Sequence, residues 1–225
     1  MAGATSVTGA AGDFRQPLGP PSWQKLKAAR DRAAERWPSP FALPLVKRPS
    51  DVLYASLRGK ERVLDVGSGD ATRKGRIAAR FPGVEYVSVD PDVEARADFV
   101  RIEDAPGAFD VAVLFETLEH LRPQDGIALL ALIRGRLAPG GRVFVTVPAI
   151  HTPGRFQRDC THVTPWANDE LGAALLLAGF EPTAMHRTYP GPALRRIVRR
   201  AFLGPIGHAF GIDYAFSVVA SGVVG

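Results

Sequence analysis

The sequence predicts an α/β protein, a doubly wound, mostly parallel sheet with helices on both faces. From residue 62 onward, short β-rich runs alternate with stretches of helical length. Those runs are mostly apolar throughout, as strands buried on both faces are. The first of them ends in a glycine turn, Gly67-Ser68-Gly69, that opens into a helix. With 225 residues, 46% of them hydrophobic and 23% charged, the chain is long enough for one sizeable domain with its own core.

Residues 1–21 are small, polar and rich in Gly and Pro, without a period, and read as a flexible tail. Ser22 can cap a helix in which Trp23, Leu26, Ala29 or Ala33, and Trp37 share one face, stopped by Pro38-Ser39-Pro40. A second short helix, Ser50 to Leu57, completes an N-terminal helical cap over 22–58. The main domain, 59–225, begins with strands Arg62–Val66, Val84–Val89, Phe99–Ile102, Val111–Phe115 and Arg142–Val147. Strands near 182–187 and 213–220 close the series. The helices between are Thr72–Arg80, Pro123–Leu137 with proline in its first turn, and Pro165–Ala178. The last has Thr164 as its cap, Asp169 and Glu170 where the helix dipole favours anions, and Gly179 as its stop.

A net charge of +5 invites an anionic partner. The surplus is on the flanks, however, because residues 63–193 carry 13 Lys and Arg against 17 Asp and Glu. No nucleic-acid partner is therefore expected. A single cysteine, Cys160, forms no intramolecular disulfide, and there is neither a leader pattern nor an apolar run near the ~20 residues of a spanning helix. A cytoplasmic location is the expectation.

The chemistry lies after the first strand. Two glycines one residue apart allow a tight turn and close approach of a ligand to the backbone, with free helix N–H groups following. Asp90, ending the next strand, falls beside that turn in a doubly wound sheet and can accept both hydroxyls of a ribose. A dinucleotide turn would carry a third glycine three residues on, which is absent from Gly67-Ser68-Gly69-Asp70-Ala71-Thr72. The acidic Asp65 also disfavours a pyrophosphate and suits an ammonium group. S-adenosylmethionine, with a ribose and an amino-acid end but no phosphate, meets these conditions.

Residues from about 60 to 182 resemble a class I S-adenosylmethionine-dependent methyltransferase of the small bacterial type. The resemblance rests on Val63-Leu64-Asp65-Val66-Gly67-Ser68-Gly69, Val89-Asp90, Phe109-Asp110-Val111 leading to Leu118-Glu119-His120-Leu121, Leu137-Ala138-Pro139-Gly140-Gly141-Arg142, and Ala178-Gly179-Phe180. It implies a Rossmann-like, seven-stranded sheet with one antiparallel edge strand, and a methyl donor converted to S-adenosylhomocysteine. By similarity, Gly67, Ser68 and Gly69 pass under the donor, Asp65 orients its methionine end, and Asp90 with Pro91 holds the ribose. Phe115 and Glu116 line the methionine side. Arg101 stands where relatives commonly have an acidic residue for the adenine amino group, so Glu103 or Asp104 is expected to take over that contact, with Ile102 supplying backbone polarity. The N-terminal helix is expected to cover the cofactor pocket.

On the acceptor side, His120, His151, His162 and Asp159 are the candidates for a general base, each also readable as a residue that closes a loop. Arg158-Asp159-Cys160-Thr161-His162-Val163-Thr164-Pro165 resembles a segment found in a subset of these methyltransferases. No metal is expected, since only two strong ligands lie close together in sequence. The segment Phe115-Glu116-Thr117-Leu118-Glu119 lacks the Pro-Pro-aromatic pattern of base-amino methylation. About residues 192–203, Leu194, Ile197, Val198, Ala201 and Phe202 share one helical face and Arg195, Arg196, Arg199 and Arg200 the other. That helix is a solvated lid, a peripheral contact with anionic lipid, or a reach to a phosphate or carboxylate on the substrate.

The expected function is methyl transfer to a small-molecule acceptor, at oxygen. The alternatives are a glycan or lipid-linked acceptor at a membrane surface and, from another class, a non-catalytic S-adenosylmethionine-binding subunit, with an NAD-dependent oxidoreductase last.

Overall fold

The computed structural model describes residues 21–70, 72–192, 194, 197, 198, 207 and 209–225. The residues expected to form the flexible tail, apart from Pro21, lie outside these, as do the four arginines of the basic helix. Five helices are used below: α1 (Trp23–Arg36), α2 (Pro49–Ser56), α3 (Thr72–Arg80), α4 (Pro123–Arg134) and α5 (Asn168–Leu177). The strands are β1 (Leu45–Val46), β2 (Arg62–Val66), β3 (Glu85–Val89), β4 (Phe109–Phe115), β5 (Leu137–Pro148), β6 (Phe180–Thr188) and β7 (Ser217–Val224).

They form one sheet in the order β1-β6-β7-β5-β4-β2-β3. β3, β2, β4 and β5 run parallel, and β7 runs antiparallel to both β5 and β6. The antiparallel strand is thus interior, not at an edge as the resemblance implied. Residues 99–102 form no strand; Phe99 makes one bridge to Val89, and Ile102–Asp104 is a 3-10 turn. The seventh strand is instead Leu45–Val46, from the N-terminal segment, paired with the far edge at Arg187 and Thr188.

Both faces of the central strands are buried, and alternate residues serve different cores. Ala112 and Leu114 join the side covered by α4 and α5, whereas Val111 and Val113 meet Leu53 and Leu57 of the α2 region and Ile77 of α3. That two-sided demand is why β4 reads as a continuous apolar run. Gly135 ends α4 earlier than expected and leaves Leu137 to begin β5. Thr164 does not cap α5, which starts at Asn168; its hydroxyl donates to the Leu121 carbonyl at 2.5 Å, holding the preceding loop.

α1 does not cover the glycine turn. Ser22 does cap it, accepting from the Lys25 N–H at 3.4 Å. It packs on α5, at the other half of the sheet. A Cβ on Gly172 would lie 2.7 Å from Ala33 Cβ, so the helices meet closely. Arg30 reaches Asp169 at 2.9 Å, and Arg36 donates to the Pro182 and Thr183 carbonyls. Trp23 is exposed. No helix among the described residues is long and apolar enough to cross a membrane.

Candidate active site

The parallel strands deliver their C-terminal ends to one rim, where open α/β sheets bind ligands. After β2, the Gly67 N–H donates to the Val89 carbonyl at 2.9 Å, which folds the turn against β3. Gly67 and Gly69 have φ of +69° and +55°. The two glycines are needed for different reasons. A Cβ on Gly67 would lie 2.5 Å from Thr117 Oγ1, whereas one on Gly69 would meet nothing within 4 Å, so its open side can face a ligand.

Asp90 is 9% exposed and anchored at both oxygens, accepting from the Gly69 N–H and the Asp92 N–H, each at 2.9 Å. Pro91 is the half-buried middle residue of that Asp90–Asp92 turn. One lone pair on each oxygen remains for ribose hydroxyls, and Ser68 is buried beside it. These residues fit the ribose end of S-adenosylmethionine.

Asp65 has internal partners where the sequence suggested a ligand ammonium. Its fully buried carboxylate accepts from Arg73 at both oxygens and from the Tyr86 hydroxyl at one. Burial pushes this carboxyl up, with Arg73 and Tyr86 opposing. A charge this deep needs a counter-charge from the fold, and Arg73, seated 4.8 Å over the Phe115 ring, supplies it. Ile102 is in the core, and Glu103, expected to take over the adenine contact, pairs at the surface with Arg101 at 3.7 Å.

β4 ends in Phe115 and then Glu116, a non-glycine residue at φ +55°. Its N–H is held by Thr146 through the carbonyl and the hydroxyl, at 3.1 and 3.0 Å. The turn that follows carries Glu119 and His120. The Glu119 carbonyl accepts from the Val163 and Thr164 N–H groups at 2.7 and 3.0 Å, and Trp166 Nε1 donates to the Leu118 carbonyl at 3.1 Å. Those bonds sew the loop after β5 onto the turn after β4.

They bring Asp159, His120 and His162 together, as the sequence allowed. The two imidazole centroids are 4.9 Å apart. Thr161 Oγ1 lies 2.9 Å from His120 Nδ1 and donates to Asp159 Oδ1 at 2.6 Å. His162 Nε2 is 3.9 Å from Glu119 Oε1 and 4.0 Å from Asp159 Oδ2. His151 is apart, half-buried in the turn after β5, its carbonyl accepting from the Asp213 N–H. Glu119 was quoted in the sequence only as part of a motif. It is fully buried, its oxygens have no hydrogen-bond partner, and its carboxyl is pushed up to about 8, first by burial and then by the Glu116 carboxylate.

A glycine turn beside Asp90, on a sheet with β7 reversed between β5 and β6, is the arrangement of the class I methyltransferase fold. Comparisons agree. A family model described as a methyltransferase domain matches residues 28–201. Uncharacterized methyltransferases of Mycobacterium bovis and Mycobacterium tuberculosis are 31% identical over 48% of this chain and 59% of their own length. The alignment thus spans under two thirds of those relatives. A SAM-dependent methyltransferase from Archaeoglobus fulgidus superposes with a TM-score of 0.58 at 15% identity, covering 88% of this chain and 94% of that one. A putative methyltransferase of Haloferax volcanii, solved with the Trm112 activator, gives 0.58 at 15% identity over 89% and 96%. The chain belongs to the methyltransferase-domain family.

Proposed function

We propose that the protein transfers a methyl group from S-adenosylmethionine to an oxygen of a small-molecule acceptor. The observation that carries this reading is Thr117. Its side chain packs on Gly67 of the cofactor turn, and two residues later the same segment presents Glu119 and His120. Donor and acceptor machinery are thereby held on one short turn, and holding both reactants in line supplies roughly 7–11 kcal/mol of such a barrier. An attacking hydroxyl must also lose its proton, and the His120, His162, Asp159 and Glu119 group lies where that proton leaves. Asp90 is assigned to the ribose, and Gly67, Ser68 and Gly69 to the underside of the donor.

The test is formation of S-adenosylhomocysteine from S-adenosylmethionine with a panel of hydroxylated small molecules, matched amines and thiols. Turnover confined to hydroxyl acceptors is expected. Turnover confined to amines or thiols would sink the oxygen assignment, and donor binding with no turnover on any acceptor would favour a non-catalytic subunit.

A second reading, a glycan or lipid-linked acceptor at a membrane surface, is supported by the exposed side chains of Leu194, Ile197 and Val198. Co-sedimentation with anionic vesicles, lost on Ile197→Ser with Val198→Ser, is its expected result; absence of binding removes it.

A further inference from the structure

We propose that Glu119, His120 and His162 form a binding site for one divalent transition-metal cation, with Asp159 beside it as a further oxygen donor. The ligand atoms of the first three all lie within 4.8 Å of one another. Two ligands of a common ion, each at about 2.0–2.2 Å, are separated by roughly 3–4 Å. Closing the cluster therefore takes roughly 1 Å of side-chain movement, within reach of small χ rotations.

Hydrogen bonds at the far side of each imidazole aim the near side. His162 Nδ1 is 2.7 Å from the Phe156 carbonyl, which can only accept, so Nδ1 carries the proton and Nε2 keeps a lone pair. Thr161 gives its single hydroxyl proton to Asp159, so it accepts from His120 Nδ1, and in the neutral ring His120 Nε2 is the nitrogen left to bind an ion. Metal-binding histidines are held in this way, donating their other N–H to a carbonyl or another oxygen that fixes the ring. The lone pair of His162 faces Glu119 and Asp159 at 3.9 and 4.0 Å, too far for a hydrogen bond and suited to a shared ion.

Charge points the same way. Glu119 is 0% exposed and neither oxygen has a partner. A buried carboxylate in that condition costs several kcal/mol unless paired, and the charges of Glu116 and Asp159 add to it. A proton shared with Glu116 would answer the carboxylates alone, whereas a divalent cation answers Glu119 and both imidazole lone pairs. Two imidazoles and one carboxylate on a common side, with positions left open, suit Mn²⁺, Fe²⁺ or Zn²⁺ better than Ca²⁺.

What such a cation does to an acceptor rests on the methyl-transfer reading above; its binding does not. Drawn toward the cation, an acceptor hydroxyl releases its proton to solvent. Its oxygen then forms the bond to the methyl carbon, and the carbon–sulfur bond breaks with its electron pair returning to sulfur.

The experiment is calorimetric titration of the chelator-treated, dialysed full chain with MnCl₂, ZnCl₂ and MgCl₂, with the Mn²⁺ spectrum by electron paramagnetic resonance. One Mn²⁺ or Zn²⁺ site per chain is expected. Glu119→Gln and His162→Gln should weaken it at least about 100-fold, and Thr161→Val, which touches only the orientation of His120 and Asp159, by roughly 10–100-fold. Asp90→Ala should leave cation affinity unchanged while weakening S-adenosylhomocysteine binding, which keeps failure of the metal site distinct from failure of the methyltransferase reading. Should Glu119→Gln not fold, His162→Gln at the loop carries the same readout. Absence of a stoichiometric site, or a site indifferent to both variants, overturns the proposal.

Discussion

Replacing Asp90 with alanine gives the sharpest test of the cofactor site. The carboxylate accepts two backbone N–H bonds at 2.9 Å, and its remaining lone pairs are the ones assigned to ribose. A hydrogen bond to a charged group contributes about 1.5–3 kcal/mol. Losing the ribose contacts, with the bound conformation of Gly69 also unmoored, should cost roughly 2–3 kcal/mol of affinity, or about 30–150-fold in Kd. The assay is calorimetry with S-adenosylhomocysteine on a variant shown by thermal melting to be folded, with NAD as the control ligand. The freed Gly69 and Asp92 amides sit at the rim and can turn to water, so the melting temperature should fall only modestly. An unchanged Kd in a folded variant would remove Asp90 from the site. A clear preference of the unaltered chain for NAD would refute the cofactor assignment itself.

Two further outcomes follow from particular contacts. Gly67→Ala drives a Cβ into Thr117 at a left-handed backbone position and should destabilise by about 2 kcal/mol or more, whereas Gly69→Ala, in open space, should cost only about 1 kcal/mol but weaken cofactor binding. Urea melts paired with calorimetry separate them, and equal stability losses would contradict the contact with Thr117. Glu61 is buried, which alone would raise its carboxyl, but N–H bonds from Arg58, Gly59 and Lys60 at 2.6, 2.8 and 3.0 Å hold it below the usual value. The stabilisation is present above the unfolded-state pKa and is lost as pH falls through the lower folded one. Glu61→Gln should therefore destabilise by about 1–2 kcal/mol at pH 7, the gap to the unaltered chain closing below about pH 4. A gap that does not change with pH would show that the bonds do not depend on the charge.

Where a sequence signal and its physical cause were both local, the reading was accurate. The β4 run is apolar because two cores share it, and the Gly67-Ser68-Gly69 turn is visible because positive φ at Gly67 and Gly69 favours glycine. Phe99–Ile102 looked like a strand by composition, yet only Phe99 pairs, since the chain turns at once into Ile102–Asp104. Leu45–Val46 is too short to announce itself; it is a strand because the Arg187 and Tyr189 N–H groups donate to the Pro44 and Val46 carbonyls. Asp65 was read as a ligand contact because its partner, Arg73, lies on the next helix. The cluster of Glu119, His120 and His162 was not legible for a similar reason. Glu119 and His120 are adjacent, but His162 follows a different strand, and counting ligands along the chain cannot see that β4 and β5 are neighbours.

The turn after β4 joins the glycine turn to the cluster of Glu119, His120 and His162. Glu116 is held at a positive φ without being glycine, a conformation that costs about 1–3 kcal/mol and persists only where its surroundings impose it. They do so from three sides. Thr146 fixes its N–H, Thr117 donates to the Val66 carbonyl at 3.3 Å beneath the cofactor turn, and the Glu119 carbonyl is clamped by Val163 and Thr164. Relaxing Glu116 would withdraw Thr117 from Gly67 and shift Glu119 from His162 in the same motion. The spacing between the glycine turn and the cluster of Glu119, His120 and His162 is therefore set by one strained residue, and the neighbours that maintain it belong to both.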